Sequence, residues 1–144
     1  FIVSCQPQYN LLDRSIESEI LPWCRENGVG VIPYSPMGRG LLTGKISATH
    51  EYPPSDHRSK LPDFQPGRRE AILAALAEIE PTCLERGVTL GNLAVAWVLS
   101  QPGVTAALVG ARNARQAKEN AVALEVCLDE REEHAIRKVF EALD

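Results

Sequence analysis

Three short apolar stretches limit what this chain can fold into: FIVSCQ at residues 1–6, VGVIPY at 29–34 and VTAALVG at 104–110. VGVIPY carries apolar side chains at successive positions, so a strand built from it presents them to both faces and must be covered on both. FIVSCQ reads as another buried strand and VTAALVG as a third. Between and after them the apolar spacing becomes that of helices. The order is strand, helix, strand, long loop, two helices, strand, two helices. Such alternation argues for parallel β/α units with right-handed crossovers. Three strands close poorly on themselves. Either the sheet is small and open, or these are three staves of a larger barrel.

The helices carry their own punctuation. In SIESEILPWCRENG, Ile16, Ile20, Trp23 and Cys24 share a face, and Asn27-Gly28 is the stop. Pro22 requires the regular helix to start near Ser18, so that the proline falls in its first turn. From Arg68 to Arg86 the spacing of Ile72, Leu73, Leu76, Ile79 and Leu84 is helical, with Gly87 at its end and Pro81 expected to kink or break it. Thr89 caps LGNLAVAWVLSQ, a helix apolar on most sides and therefore buried. Asn113 opens the next helix with Gln116 at capping-box spacing. Asp129 and Glu132 repeat the device before a stripe of Ile136, Val139, Phe140 and Leu143. Residues 46–66 hold four prolines among polar residues, which predicts a long mobile loop or lid within a single partial-barrel domain spanning 1–144.

Composition removes several classes of function. A net charge of −4 gives no basic field, so nucleic acid is not an expected partner. The longest apolar run, LAVAWVL at 93–99, is too short to span a bilayer. Cys5, Cys24, Cys83 and Cys127 form no C-x-x-C pair, and His50, His57 and His134 do not cluster. Reduced thiols of a cytoplasmic protein, with no metal site, are the expectation. The sequence opens with Phe1 inside an apolar run, which suggests a piece of a longer protein.

VIPYSPMGRGLLTGK, at 31–45, looks like a phosphate cradle. It is not a P-loop. The template G-x-x-x-x-G-K-[ST] needs a glycine where Arg39 stands and a hydroxyl where Ile46 stands. What remains is backbone able to approach an anion closely at Gly38, Gly40 and Gly44, or simply a glycine-rich connection after a strand.

Taken together, QPQYNLLDR (6–14), YSPMGRGLLTGK (34–45) and VGARNARQAKEN (109–120) resemble the C-terminal part of an aldo-keto reductase, over essentially the whole chain. The resemblance implies an α/β fold, the C-terminal portion of a (β/α)8 TIM barrel, with the three strands as its sixth, seventh and eighth. It implies NADP (NADPH) as cofactor and a small carbonyl compound as substrate. Active sites of such barrels lie at the C-terminal ends of the strands, where Gln6, Tyr34 and Gly110 fall. By resemblance, Gln6 faces the nicotinamide carboxamide, although a polar strand end is the more natural reading of it from the sequence alone. Tyr34 stacks on the nicotinamide ring, or is an ordinary rim aromatic. Ser35, Met37, Gly38, Gly40, Leu41 and Lys45 wrap the pyrophosphate. Arg112, beside the helix that Asn113 opens, takes the adenosine 2′-phosphate. Gln116, Glu119 and Asn120 share one helix face and hold the adenosine. Gln116 has a competing use in the capping box, and Glu119 and Asn120 would otherwise pass as a solvated face.

The family's proton donor is a tyrosine assisted by lysine, aspartate and histidine from the first half of the barrel, and none of those motifs can be placed here. No catalytic residue is therefore expected in this chain, which alone should be inactive. Unpaired strand edges predict association with the missing half or self-association. The alternative is a non-catalytic nucleotide-binding or assembly module derived from the same family.

Overall fold

The computed structural model describes residues 1–143. Strand β1 (Ser4–Cys5) pairs in parallel with β2 (Gly30–Val31), Ser4 opposite Gly30 and Cys5 opposite Val31. The pairing continues beyond both as single parallel bridges, Gln8 with Tyr34, Val31 with Val104 and Tyr34 with Leu108. A middle stave thus lies between a first and a third. Even-numbered residues of the middle stave bond to the first: the amides of Gly30, Ile32 and Tyr34 donate to the carbonyls of Val3, Cys5 and Pro7 at 3.0, 2.9 and 3.0 Å. Odd-numbered carbonyls serve the third, Val31 accepting from Thr105 at 2.8 Å and Pro33 from Leu108 at 2.9 Å.

Pro33 explains why the third apolar stretch is not a regular strand. It has no amide hydrogen to give back. Between its bonds to Val31 and Pro33, the third stave advances from Thr105 to Leu108 while the middle stave advances by one residue fewer. That extra residue is a bulge in the ladder. The first stretch is also shorter than its composition predicts, because Phe1, Ile2 and Val3 are exposed.

The 3-10 turn Ser15–Glu17 leads into α1 (Ile20–Glu26), with Pro22 in the first turn as required. The break between turn and helix changes the expected face. Ile16 and Cys24 are buried, but Leu21 joins them, while Ile20 and Trp23 are exposed. Helix α2 (Arg68–Arg86) runs through Pro81 without ending. Pro81 and Ala77, whose carbonyl loses its donor, are both on the solvent side, where water can satisfy that carbonyl. Its inward residues are Ile72, Ala75, Leu76, Ile79 and Cys83, and Leu84 faces out.

Helix α3 (Leu90–Ser100) is buried from Gly91 to Val98. Helix α4 (Ala114–Ala121) begins at the Asn113 cap, and α5 (Glu130–Glu141) begins with the Asp129–Glu132 capping box and buries Ile136 and Phe140. Segment 46–66 is folded on itself. It carries 3-10 turns at His57–Lys60 and Pro62–Phe64, and the Tyr52 ring meets Phe64 edge-on at 5.5 Å beneath the Arg58 guanidinium. Buried Arg69 of α2 holds the segment by donating to the carbonyls of His50 and Ala48. Among the described residues no helix is long and apolar enough to cross a membrane, and no cluster of potential metal ligands occurs.

One polar network ties the first loop to the last helix. The Tyr9 hydroxyl donates to Glu17 at 2.5 Å, and Arg137 donates to both carboxylate oxygens of Glu17 at 2.6 and 2.9 Å and to Gln101 at 2.9 Å. Tyr9 packs its ring on Trp97, over which the Arg137 guanidinium also lies. Burial, then the Glu17 charge, pushes the Tyr9 hydroxyl far up, so it stays a donor. Burial alone would raise Glu17, but the bonds from Arg137 and Tyr9 outweigh it and hold the carboxyl below its usual value. Glu17→Gln should lower unfolding free energy by about 1–3 kcal/mol, since Arg137 and Tyr9 lose a charged partner. A carboxyl depressed by folding stabilises fully above its unfolded pKa and stops doing so as pH falls through the folded value, from about pH 5 downwards. Urea unfolding across this acid range should show the parent losing stability faster than Glu17→Gln. Parallel profiles would place the acid sensitivity elsewhere.

Candidate cofactor site

The C-terminal ends of the three staves converge, since Tyr34 is bridged to Gln8 on one side and Leu108 on the other. Gln6 is exposed just before Pro7, whose carbonyl takes the Tyr34 amide. Tyr34 leaves its stave with 42% of its surface open, beside the equally open Leu108. Gly110 lies exposed beyond the third stave, and a side chain there would meet nothing within 4 Å, so space does not demand glycine.

After Tyr34 the chain turns through a run of left-handed backbone: Ser35 at φ 56°, Gly38 at 53°, Arg39 at 54°, Gly40 at 95° and Gly44 at 68°. Each non-glycine in that region costs about 1–3 kcal/mol and needs support from its surroundings. Met37, at φ −96° and ψ 18°, followed by left-handed Gly38, has the backbone alternation found in anion-binding turns. The amides of Gly38 and Gly40 donate within the loop, to the carbonyls of Ser35 and Met37 at 2.9 and 3.0 Å. Lys45 is exposed at the loop's far end, and Arg39 reaches back to Gln8 at 3.1 Å. Leu41 and Leu42 are fully buried and anchor the loop in the core.

The N-terminus of α3 is where the loop and α4 are fixed relative to each other. A Cβ on Gly91 would fall 3.3 Å from the Met37 sulfur and 3.4 Å from the Thr43 methyl, so the loop rests directly on this helix end. The next residue, Asn92, is buried. Its Oδ1 accepts from the Thr89 amide and hydroxyl at 3.1 and 2.7 Å, and its Nδ2 donates to the Glu119 carbonyl of α4 at 2.7 Å. Asn120 adds a bond from α4 to the Gly110 carbonyl at 3.1 Å.

Arg112 is exposed beside the α4 N-terminus, and Gln116 accepts its amide at 2.8 Å while donating its own amide to Asn113. The Gln116 side chain is thus engaged at the helix start, but with the Arg112 amide, so the expected capping box with Asn113 is not completed. The Glu119 carboxylate pairs with Arg115 at 3.4 Å along the α4 surface. Sequence reasoning passed over Asn10, Asn92 and Arg39. Asn92 sits at capping-box spacing from Thr89 and could have been found that way, and Asn10 stands in the quoted QPQYN.

The residues present fit a nicotinamide dinucleotide. An open aromatic lies at the stave ends, a left-handed turn with an exposed lysine follows, and an arginine stands at a helix N-terminus held to the same scaffold. Comparison with known proteins agrees with this chemistry. The aldo/keto reductase family model matches residues 1–141, and the chain belongs to that family. These are oxidoreductases that generally use nicotinamide cofactors. The chain is 37% identical over 139 residues to the NADH-specific methylglyoxal reductase of Escherichia coli (strain K12), covering 96% of this chain and 42% of that one. It is 35% identical over 126 residues to a probable voltage-gated potassium channel subunit beta of Arabidopsis thaliana, covering 84% and 38%. Among solved structures it superposes on the glycerol dehydrogenase of Gluconobacter oxydans with a TM-score of 0.90 at 36% identity, over 96% of this chain and 42% of that barrel. The chain therefore spans about two fifths of the length of the relatives it matches.

Asn92→Ala removes the bond to α4 and leaves the half-buried Glu119 carbonyl without this donor. It should lower stability by about 1–3 kcal/mol. Amide exchange should quicken more in α4 than in α2, and equal acceleration in both would mean that Asn92 does not fix α4.

Proposed function

We propose that this chain is the NADP(H)-binding part of an aldo-keto reductase that reduces aldehydes or ketones to alcohols, its staves being the sixth to eighth of the barrel. The observation that carries the reading is the shared seat on α3, where Gly91 bears the turn after Tyr34 and Asn92 bears α4. One rigid helix end so fixes the spacing between a turn suited to pyrophosphate and an arginine suited to the adenosine end. Bound there, the dinucleotide would supply the hydride for a carbonyl carbon. Gln6 would meet the carboxamide and Tyr34 the ring, at a stacking gain of about 0.5–1.5 kcal/mol. Ser35, Met37, Gly38, Gly40, Leu41 and Lys45 would line the pyrophosphate, with Gly110, Gln116, Glu119 and Asn120 toward the adenosine.

A proton donor for the carbonyl oxygen would come from elsewhere. The chain has three tyrosines. Tyr9 is fully buried and donates to Glu17, the Tyr52 hydroxyl is buried within segment 46–66, and Tyr34 is assigned to the ring. We assign the acid to further staves that would also cover the open edges, in a cytoplasmic protein. The similarity to a channel β-subunit supports a second reading, a nucleotide-holding module used for assembly rather than reduction.

The relative named as NADH-specific makes cofactor choice the sharp test. The chain should quench Trp23 and Trp97 emission saturably with NADPH, and more weakly with NADH. Arg112→Ala should weaken NADPH by roughly ten- to a hundredfold, the worth of a charged hydrogen bond, and leave NADH nearly unchanged. Equal loss for both dinucleotides would mean that Arg112 does not read the 2′-phosphate.

A further inference from the structure

Asn10 is 2% exposed although it belongs to a loop, the one that follows the first stave. Its Oδ1 accepts from the amides of Leu12 at 2.9 Å and Asp13 at 3.0 Å. Two donors on one side fix which end of the amide carries oxygen. The backbone of the same turn closes through Asn10 and Asp13, which exchange amide-to-carbonyl bonds of 3.1 and 3.2 Å. With its plane set this way, Nδ2 projects toward the middle stave and donates to the Ser35 carbonyl at 3.0 Å.

Ser35 is the left-handed non-glycine residue at the mouth of the turn. Its carbonyl also accepts from Gly38 at 2.9 Å, so both lone pairs are occupied. The amide next to Asn10, that of Tyr9, is already given to the Tyr34 carbonyl. Without the Asn10 side chain the Ser35 carbonyl keeps only its bond within the turn, from Gly38. The position requires a planar group with acceptor and donor on opposite sides, which asparagine supplies and aspartate does not.

We propose that Asn10 is a positioning residue for the dinucleotide. Its amide clamps Ser35 in the left-handed conformation, and so sets how Tyr34 leaves its stave and how residues 37–44 enter their turn. The inference rests on the nucleotide-binding reading above. It differs from a merely stabilising role in one respect: a glycine at position 35 adopts the same backbone without a clamp, so Ser35→Gly should make Asn10 dispensable.

The test compares the 144-residue parent with Asn10→Asp, Asn10→Ser, Ser35→Gly and the double variant Asn10→Asp with Ser35→Gly. Two readouts are taken, NADPH titration and amide exchange of residues 36–44 without nucleotide. Asn10→Asp keeps the acceptor side and replaces the donor, and should weaken NADPH about tenfold while speeding exchange of the turn. Asn10→Ser, which shortens the side chain without adding charge, should act in the same direction and covers the case in which the aspartate does not fold. In the Ser35→Gly background, Asn10→Asp should change NADPH affinity by less than about twofold. An undiminished loss in that background, or an Asn10→Asp chain that binds as the parent does, overturns the proposal. A parent that binds neither NADPH nor NADH overturns the nucleotide reading and the role of Asn10 toward it. In that event the exchange data still show separately whether the clamp on Ser35 exists.

Discussion

The burial of α3 fixes the rest of the molecule. From Gly91 to Val98 this helix is enclosed, and an amide enclosed with it is tolerable only if every hydrogen-bonding group finds a partner. Asn92 meets that demand by reaching backward to Thr89 and outward to the Glu119 carbonyl, so satisfying one buried side chain also sets the position of α4. Gly91 does the complementary work for the turn after Tyr34, because any side chain there would press on Met37 and Thr43. Energetic necessity inside the core thus becomes geometric definition at the surface.

The turn itself is an unfavourable piece of backbone held in place from outside. Ser35 and Arg39 stay left-handed at a cost that a free loop would avoid by relaxing. Leu41 and Leu42, buried completely, hold one end, and the Asn10–Ser35 bond holds the other. A loop fixed at both ends loses little further entropy when a ligand arrives, which is the physical meaning of preorganisation. The segment 46–66 is secured by different means, through Arg69 and the Tyr52 cluster, and touches the turn where Ile46 lies against Gly40.

Much of this was legible in the sequence, in proportion to how local each signal is. The caps at Thr89, Asn113 and Asp129 all form, because a side chain satisfying an amide three residues on needs no distant partner. Expectations that depended on a long-range choice fared differently. Whether Ile20 and Trp23 faced inward depended on the break after the Ser15–Glu17 turn, and Pro81 could sit in a helix only because its side faces water. The bulge in the third stave follows from Pro33 in its neighbour, a cause that lies outside the stretch it distorts. Motif reading singled out the turn, Tyr34 and Arg112 as candidates and passed over Asn10 and Asn92, whose side chains bond to residues 25 and 27 positions away.

Part of the exposed apolar surface bears, by its placement, on the proposed reading. Phe1, Ile2 and Val3 lie at the edge stave, Tyr34 and Leu108 at the stave ends, and Ile20 and Trp23 on the neighbouring helix. Leu84 of α2 and Leu124 are exposed as well, while α2 packs against α5 and the Glu17–Arg137 pair neutralises two charges at partial burial. A sheet edge with unused backbone groups and apolar neighbours favours further strands over solvent. The residues that would hold the dinucleotide are braced through α3 and by Asn10 of the loop after the first stave. On this reading binding and catalysis are separable by construction: the nucleotide site is supported by the staves present here, while a positioned acid for the carbonyl requires the staves that would complete the ring.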